Sequence, residues 1–325
     1  MKQITEFETI PLGVLPTPMY KLENLSRELG KNIYIKRDDM TGVGLGGNKV
    51  RKLEFLLAEA KAQGADVILT AGGPQSNHAM LTAACAARLG MEAILILKKR
   101  GTLTGGNLIL DGIFGASVRM VDTDSYEDVY AEMERLSAQL RSQGRTPYSI
   151  PVGGSVPVGC LGYVNCAREI ANQADELGVR LDAVVSAVGS GGTYAGLTLG
   201  AKLFLPGTRS VGVGVCDDPF EEISLELMRE TARLLDCDIQ PCAEDIHIHY
   251  HIGPGYAIPS SGGCAAVRRL ARAEGILADP VYTGKALAGF FELLEQGAFD
   301  QDEDILFVHT GGAGALFAVD LPAED

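Results

Sequence analysis

Along most of the chain, short apolar runs alternate with stretches of helical periodicity, and glycine-rich loops join several of them. This alternation constrains the fold more than any other feature. Parallel strands cannot be joined by a tight hairpin and need a crossover, usually a helix, so a strand–helix–strand order predicts an α/β fold whose mainly parallel, twisted sheets are covered by helices. Strands are expected at 67–70, 93–97, 148–150, 183–188, 209–216 and 304–308, and helices at 77–89, 125–144, 161–177, 221–235, 262–274 and 283–294. The clearest helix carries Val129, Met133, Leu136 and Leu140 on one face. Ser125 with Asp128 resembles a capping box at its start, and Gly144 is a stop. At ~150 residues per domain, 325 residues suggest two domains or one large unit. No Ser/Pro-rich linker separates two halves, so two domains would interleave.

Composition excludes several classes. Apolar residues make up 46% and charged residues 22%, which is globular and not disordered. With 28 basic against 42 acidic residues the net charge is −14, and general attraction to nucleic-acid phosphates is disfavoured. The longest apolar stretch, 81–97, is broken by Arg88 and Glu92, so no membrane span is expected, and the first residues contain no apolar leader. Seven cysteines without a C-x-x-C pair argue against a disulfide framework or a zinc ribbon and suggest a reducing cytoplasm.

Ready-made nucleotide motifs fail. In 42–49 the lysine comes one place late for a P-loop and Val50 follows it, while 189–194 lacks the third dinucleotide glycine. Four segments remain. Gly46-Gly47-Asn48-Lys49 gives backbone freedom around one amine, or begins a solvated helix. The loop 72–78 ends in Gln75, Ser76, Asn77 and His78, donors at a helix start suited to a carboxylate, or simply caps. The loop Gly189-Ser190-Gly191-Gly192-Thr193 lets backbone N–H groups converge on an anion, or makes a tight turn. The last set is Tyr256, Tyr282-Thr283 and Thr310, each of which also reads as a packed turn residue. One lysine, a phosphate cradle and a carboxylate loop together describe a site for pyridoxal phosphate and an amino acid.

The sequence resembles the family of D-cysteine desulfhydrase and 1-aminocyclopropane-1-carboxylate deaminase, pyridoxal-phosphate enzymes of the tryptophan-synthase-β-like fold. The likeness runs from Leu15-Pro16-Thr17-Pro18 and Lys36-Arg37-Asp38-Asp39 through 274–285 to His309-Thr310-Gly311-Gly312. It implies a larger domain from 1–50 and 160–325, with 51–159 inserted as a smaller one. It implies pyridoxal 5'-phosphate as cofactor, with Lys49 as the Schiff-base lysine, Asn77 on the phenolic oxygen, and Gly189, Ser190, Gly191, Gly192 and Thr193 on the phosphate. Gln75, Ser76, Asn77 and His78 would meet the substrate carboxylate, and Tyr256 and Tyr282 would flank the reacting carbon. Deaminases of this family carry Glu after the tyrosine and Leu before the final glycine pair. Thr283 and Thr310 stand there instead, so elimination from a small β-substituted amino acid such as D-cysteine is expected, with L-cysteine and cysteate as rival substrates, the deaminase reaction as a further alternative, and a non-catalytic pyridoxal-phosphate-binding protein as the alternative from another class. A cytoplasmic homodimer is expected, without nucleic-acid or membrane partners. The alternating His247, His249 and His251 are unusual; on a strand they would share a face and meet a metal, an acidic group or solvent, and no metal site is expected.

Overall fold

The computed structural model describes residues 2–99, 105–255, 257–319 and 321. Its strands are β1 (Met19–Lys21), β2 (Asn32–Arg37), β3 (Val67–Gly72), β4 (Glu92–Lys98), β5 (Ser117–Val121), β6 (Pro147–Ile150), β7 (Ala183–Val188), β8 (Arg209–Gly214), β9 (Ile248–Tyr250) and β10 (Asp304–His309). Its α-helices are α1 (Glu23–Leu29), α2 (Lys49–Ala62), α3 (Asn77–Arg88), α4 (Asn107–Ile113), α5 (Tyr126–Ser142), α6 (Pro157–Leu177), α7 (Gly192–Phe204), α8 (Phe220–Leu234), α9 (Ser261–Glu274) and α10 (Thr283–Glu295).

These strands form two sheets. One has six strands in the order β1-β2-β10-β7-β8-β9, and the other four in the order β5-β4-β3-β6. Every pairing is parallel except β1 with β2 at one edge. All six residues of β3 and of β7 are buried. Helices cover both faces of such strands, which is why they read as unbroken apolar runs and not as alternation. The expected α/β architecture is therefore present. One core packs Ile33, Val185, Val213 and Phe307 under α9 and α10. Another packs Leu53, Leu56 and Leu57 of α2 with Ile68, Leu81 and Leu95 around the smaller sheet.

Local details correct the sequence reading. Ser125 caps α5 by accepting from Glu127 N at 3.0 Å, while the Asp128 carboxylate accepts from the Thr123 hydroxyl, so no capping box forms. The histidines do not lie on one long strand, because β9 contains only His249 of the three. His249 and His251 nevertheless share a face and meet an acidic group, one of the expected alternatives, flanking the Glu292 carboxylate at 3.3 and 3.0 Å. Burial pushes that carboxyl up, but the two imidazoles hold it below its ordinary value. Among the described residues no helix is long and apolar enough to cross a membrane.

Candidate active site

The carboxyl ends of both sheets open on one cavity of about 1050 Å³, lined by Gly72 at the end of β3, Gly189 after β7, Cys216 after β8 and Thr310 after β10. Open α/β sheets bind ligands at this end, where loops and helix N-termini converge. Lys49, Ser76, Asn77, His78, Ser190, Gly191, Thr193 and Tyr282 line the same cavity.

The two glycines before Lys49 are structural requirements. Gly46 has φ +75°, and a Cβ there would fall 1.7 Å from the Asp39 carbonyl oxygen. Gly47 bridges Gly311, and Asn48 N donates to Thr310 O at 3.0 Å, so this strap is sewn to the end of β10. Lys49 then opens α2 at the cavity, its Nζ donating to Asn48 Oδ1 at 3.0 Å. Asn48 Nδ2 in turn donates to Thr193 Oγ1 at 2.9 Å. Burial, reinforced by the charge of Lys52 and opposed by Asp279, holds the Lys49 ammonium well below its ordinary value. The amine is thereby easier to deprotonate to its nucleophilic form.

The glycine loop leads from β7 into α7, whose first-turn N–H groups and dipole favour an anion. Gly191 has φ +81°. Ser190 Oγ lies 2.9 Å from Ser155 Oγ, which accepts from Gly192 N at 3.2 Å. Lys52, absent from the expected site, lies under this turn. Its fully buried Nζ donates to Gly153 O at 3.0 Å, and a Cβ on Gly192 would come 2.8 Å from it. Burial lowers its ammonium to about 8. The loop is thus a tight turn with a cation beneath it.

At the start of α3 the capping reading holds, and the same residues reach the cavity. Ser76 Oγ caps the helix by accepting from Ala79 N at 3.1 Å, yet Ser76 also lines the cavity. Thr70 donates its hydroxyl hydrogen to Ile150 O at 2.8 Å, so it accepts from His78 Nε2 at 2.9 Å. That leaves His78 Nδ1 as a buried acceptor without a partner among the described residues. Burial and the charges of Lys49 and Lys52 hold the imidazole well below its ordinary value, hence neutral. Gln75 is placed differently from expectation. It is not part of the cavity wall, and its side chain accepts from Asn107 N at 2.9 Å and donates to Gly105 O at 3.1 Å. Sequence reasoning missed Asn107 altogether.

The Tyr282 ring lies against Gly189, where a Cβ would come 3.1 Å from it. Buried Asp279 holds the backbone N–H groups of Val281, Tyr282 and Thr283 at 2.7–2.8 Å. Thr283 Oγ1 donates to Gly311 O at 2.8 Å and lies 3.4 Å from Thr310 Oγ1. Thr310 reaches the cavity surface, whereas Thr283 lies just behind it. Tyr256 falls outside the described residues, but Lys285 Nζ donates to Ile252 O and Gly255 O, both at 2.7 Å, in the loop leading to it.

A glycine-lined helix start over a cation calls for a phosphate, and a desolvated lysine amine calls for a carbonyl. Pyridoxal 5'-phosphate offers both on one molecule, and the residues present fit it. The fold and this cavity define the class of type II pyridoxal-phosphate enzymes. The chain belongs to the pyridoxal-phosphate dependent enzyme family, whose pattern it matches over residues 10–311, and pyridoxal phosphate is its cofactor. It is 44% identical over 325 residues to a D-cysteine desulfhydrase of Salmonella newport, covering 98% of each chain. A D-cysteine desulfhydrase of Serratia proteamaculans is 43% identical over 98% of this chain and 97% of its own. Among solved structures, an ACC deaminase homologue superposes with TM-score 0.90 at 40% identity, covering 97% of this chain and 94% of that one. A threonine deaminase of T.th., 21% identical with TM-score 0.64 over 91% and 92% of the two chains, shares the fold.

Proposed function

We propose that this chain removes the β-substituent of D-cysteine, converting it with one water to pyruvate, ammonia and hydrogen sulfide. The observation that carries elimination is the Thr283–Thr310 pair, two uncharged hydroxyls 3.4 Å apart, Thr310 at the cavity wall and Thr283 just behind it. No carboxylate stands in that pair to favour a protonated ring nitrogen. A thiolate leaves Cβ readily without the strongest electron sink, whereas an unactivated cyclopropane needs one. The likeness to D-cysteine desulfhydrases over 98% of the chain supports the substrate.

In this reading Lys49 carries the cofactor, while Gly189, Ser190, Gly191, Gly192, Thr193 and Lys52 hold its phosphate. Asn77 would meet the ring's phenolic oxygen, and Thr310, backed by Thr283, would meet the ring nitrogen. Ser76, Asn77 and His78 receive the substrate carboxylate at the start of α3. When bound, the cofactor supplies an electron sink for the carbanion at Cα. Lys49, whose ammonium burial makes easier to deprotonate, would take the Cα proton. Tyr282 and Tyr256 flank the reacting carbon. Residues 51–159 make up the smaller inserted domain. The enzyme works in the cytoplasm as a homodimer, supported by exposed Ile109, Ile113, Val118 and Met120 on α4 and β5.

The test is a panel of D-cysteine, L-cysteine, cysteate and 1-aminocyclopropane-1-carboxylate, with keto acid, ammonia and sulfide measured. Sulfide and pyruvate from D-cysteine, with little 2-oxobutyrate from the cyclopropane, are expected. Comparable turnover of the cyclopropane overturns the electronic argument. Turnover of cysteate alone moves the substrate to the sulfonate.

A further inference from the structure

We propose that Asn107, which is not part of the cavity wall, is a positioning residue that fixes the Asn77 amide with its nitrogen toward the cofactor. This rests on the reading that places Asn77 at the ring's phenolic oxygen.

The argument starts from a group that can only accept. Asn107 Nδ2 donates to the backbone carbonyl of Gln75 at 3.0 Å. Asn107 N donates to Gln75 Oε1 at 2.9 Å, and Gln75 Nε2 donates to Gly105 O at 3.1 Å, so the Gln75 amide is locked as well. The Asn107 amide therefore cannot turn over, because its oxygen would then face a carbonyl. The second Nδ2 hydrogen goes to Asn77 Oδ1 at 2.8 Å. Asn77 thus has its oxygen engaged behind the wall. Its Nδ2, with no partner among the described residues, is left to a side chain that lines the cavity. An amide nitrogen only donates, and what suits it best is an ionised oxygen.

The arrangement has a visible cost. Asn107 is fully buried, and its Oδ1 has no partner among the described residues. It lies beside Gly314, where a Cβ would come 2.2 Å from it. A buried acceptor without a donor is unfavourable. The amide keeps this orientation because turning it over would set its oxygen against two others, Gln75 O and Asn77 Oδ1. Asn107 thereby dictates which end of Asn77 the cofactor meets.

A donor to the ionised ring oxygen stabilises the deprotonated state of the bound cofactor, so it lowers the pH at which the cofactor's visible absorbance changes. The test compares that midpoint, the cofactor dissociation constant and the melting temperature in wild-type holoenzyme, Asn77→Ala, Asn107→Leu, Asn107→Ser and the Asn77→Ala/Asn107→Leu double variant. Asn77→Ala and both Asn107 variants are expected to raise the midpoint by about one pH unit, a tenfold change in proton affinity. The double variant should go no further than Asn77→Ala, because both changes remove the same donor. If Asn107→Leu does not fold, the smaller Asn107→Ser decides. Lower melting temperatures with an unmoved midpoint in the Asn107 variants reduce Asn107 to a structural residue and overturn the inference, even where Asn77→Ala shifts. An unmoved midpoint in Asn77→Ala overturns it too, since the donor is then not at the ring. Failure of the wild-type chain to take up pyridoxal phosphate is a separate result, which removes the underlying reading itself.

Discussion

Lys49 and Lys52 lie one helical turn apart on α2, and burial weakens the basicity of both. They answer to different chemistry. Lys49 is predicted to carry the aldehyde, so borohydride reduction and peptide mapping should place the label on Lys49; label on Lys52 or Lys285 refutes the assignment. Lys52 is predicted to face the phosphate, and its pH dependence follows with a definite sign. In the free site its ammonium titrates at about 8. A bound phosphate raises that value, so the affinity it adds is complete below about 8 and is lost as pH rises through the higher bound value. Titration with pyridoxine phosphate, which has the phosphate but no aldehyde, isolates this effect from Lys49. Affinity should fall above pH 8, and Lys52→Met should abolish the dependence; a flat profile in the wild type refutes it. Lys49 was legible because two glycines before a lysine are a local signal. Lys52 was not, since its partners Gly153 and Ser155 lie 101 and 103 residues away. Gln75 was misplaced for the same reason: the group that turns it from the cavity, Asn107, lies 32 residues on.

Two elements aim the site, and each is testable. The start of α7 must approach Lys52 and Ser155 closely, and a Cβ on Gly192 would fall 2.8 and 2.7 Å from their polar atoms. Both are side-chain ends, but the Ser155 Cα would also lie 3.0 Å away, so Gly192→Ala needs a small backbone adjustment as well as displacing the cation from the cradle. Cofactor affinity is expected to fall about tenfold, with a smaller loss of melting temperature. Equal affinity counts against the cradle. The start of α2 is held from beneath by Arg51, which donates to Asp38 at 2.8 Å and to Glu169 at 2.9 Å. Burial pushes Asp38 up, but Arg51, Lys36 and the Tyr163 hydroxyl pull it below its ordinary value. Its share of stability is present above the ordinary carboxylate range and lost as pH falls through the lowered folded value. Arg51→Met leaves buried carboxylates uncompensated and should cost about 3–5 kcal/mol in urea denaturation; a loss below about 1 kcal/mol shows that the network is dispensable. The same network explains what the sequence concealed. β2 carries Lys36 and Arg37, which disguise a central strand, and Lys36 is tolerated in the interior because Glu169, Gln173 and the Thr17 carbonyl meet it. β5 has no buried residue to mark it, whereas β3 and β7 announced themselves by continuous burial.

For the whole molecule, the pairing that builds the larger sheet is long-range. β10 lies between β2 and β7, with Ile305 opposite Ile33 on one side and Ala183 on the other. No local pattern encodes such neighbours; that the chain leaves this sheet after β2 and returns to it at β7 shows only in the strand order. One surface feature remains unaccounted for by the monomer. β5 is an edge strand with Val118 and Met120 exposed, and α4 just before it exposes Ile109 and Ile113. A long edge beside apolar side chains is a template for association, and natural proteins usually blunt or cover it. A second copy of the chain is the occupant we expect, and charge makes the claim checkable. Each chain carries −14, so two copies repel over the Debye length, ~30 Å at 0.01 M salt and ~8 Å at 0.15 M. An apolar contact between like-charged copies should therefore tighten as salt rises, opposite to one held by ion pairs. Sedimentation of the holoenzyme should show a dimer whose dissociation constant falls from 0.01 to 0.15 M salt. Ile113→Asp sets a carboxylate in each apolar face and should give a monomer that keeps its cofactor colour, since Ile113 is 70% exposed and does not line the cavity. A wild-type monomer at all salt concentrations, or an Ile113→Asp dimer of unchanged strength, removes this face from consideration.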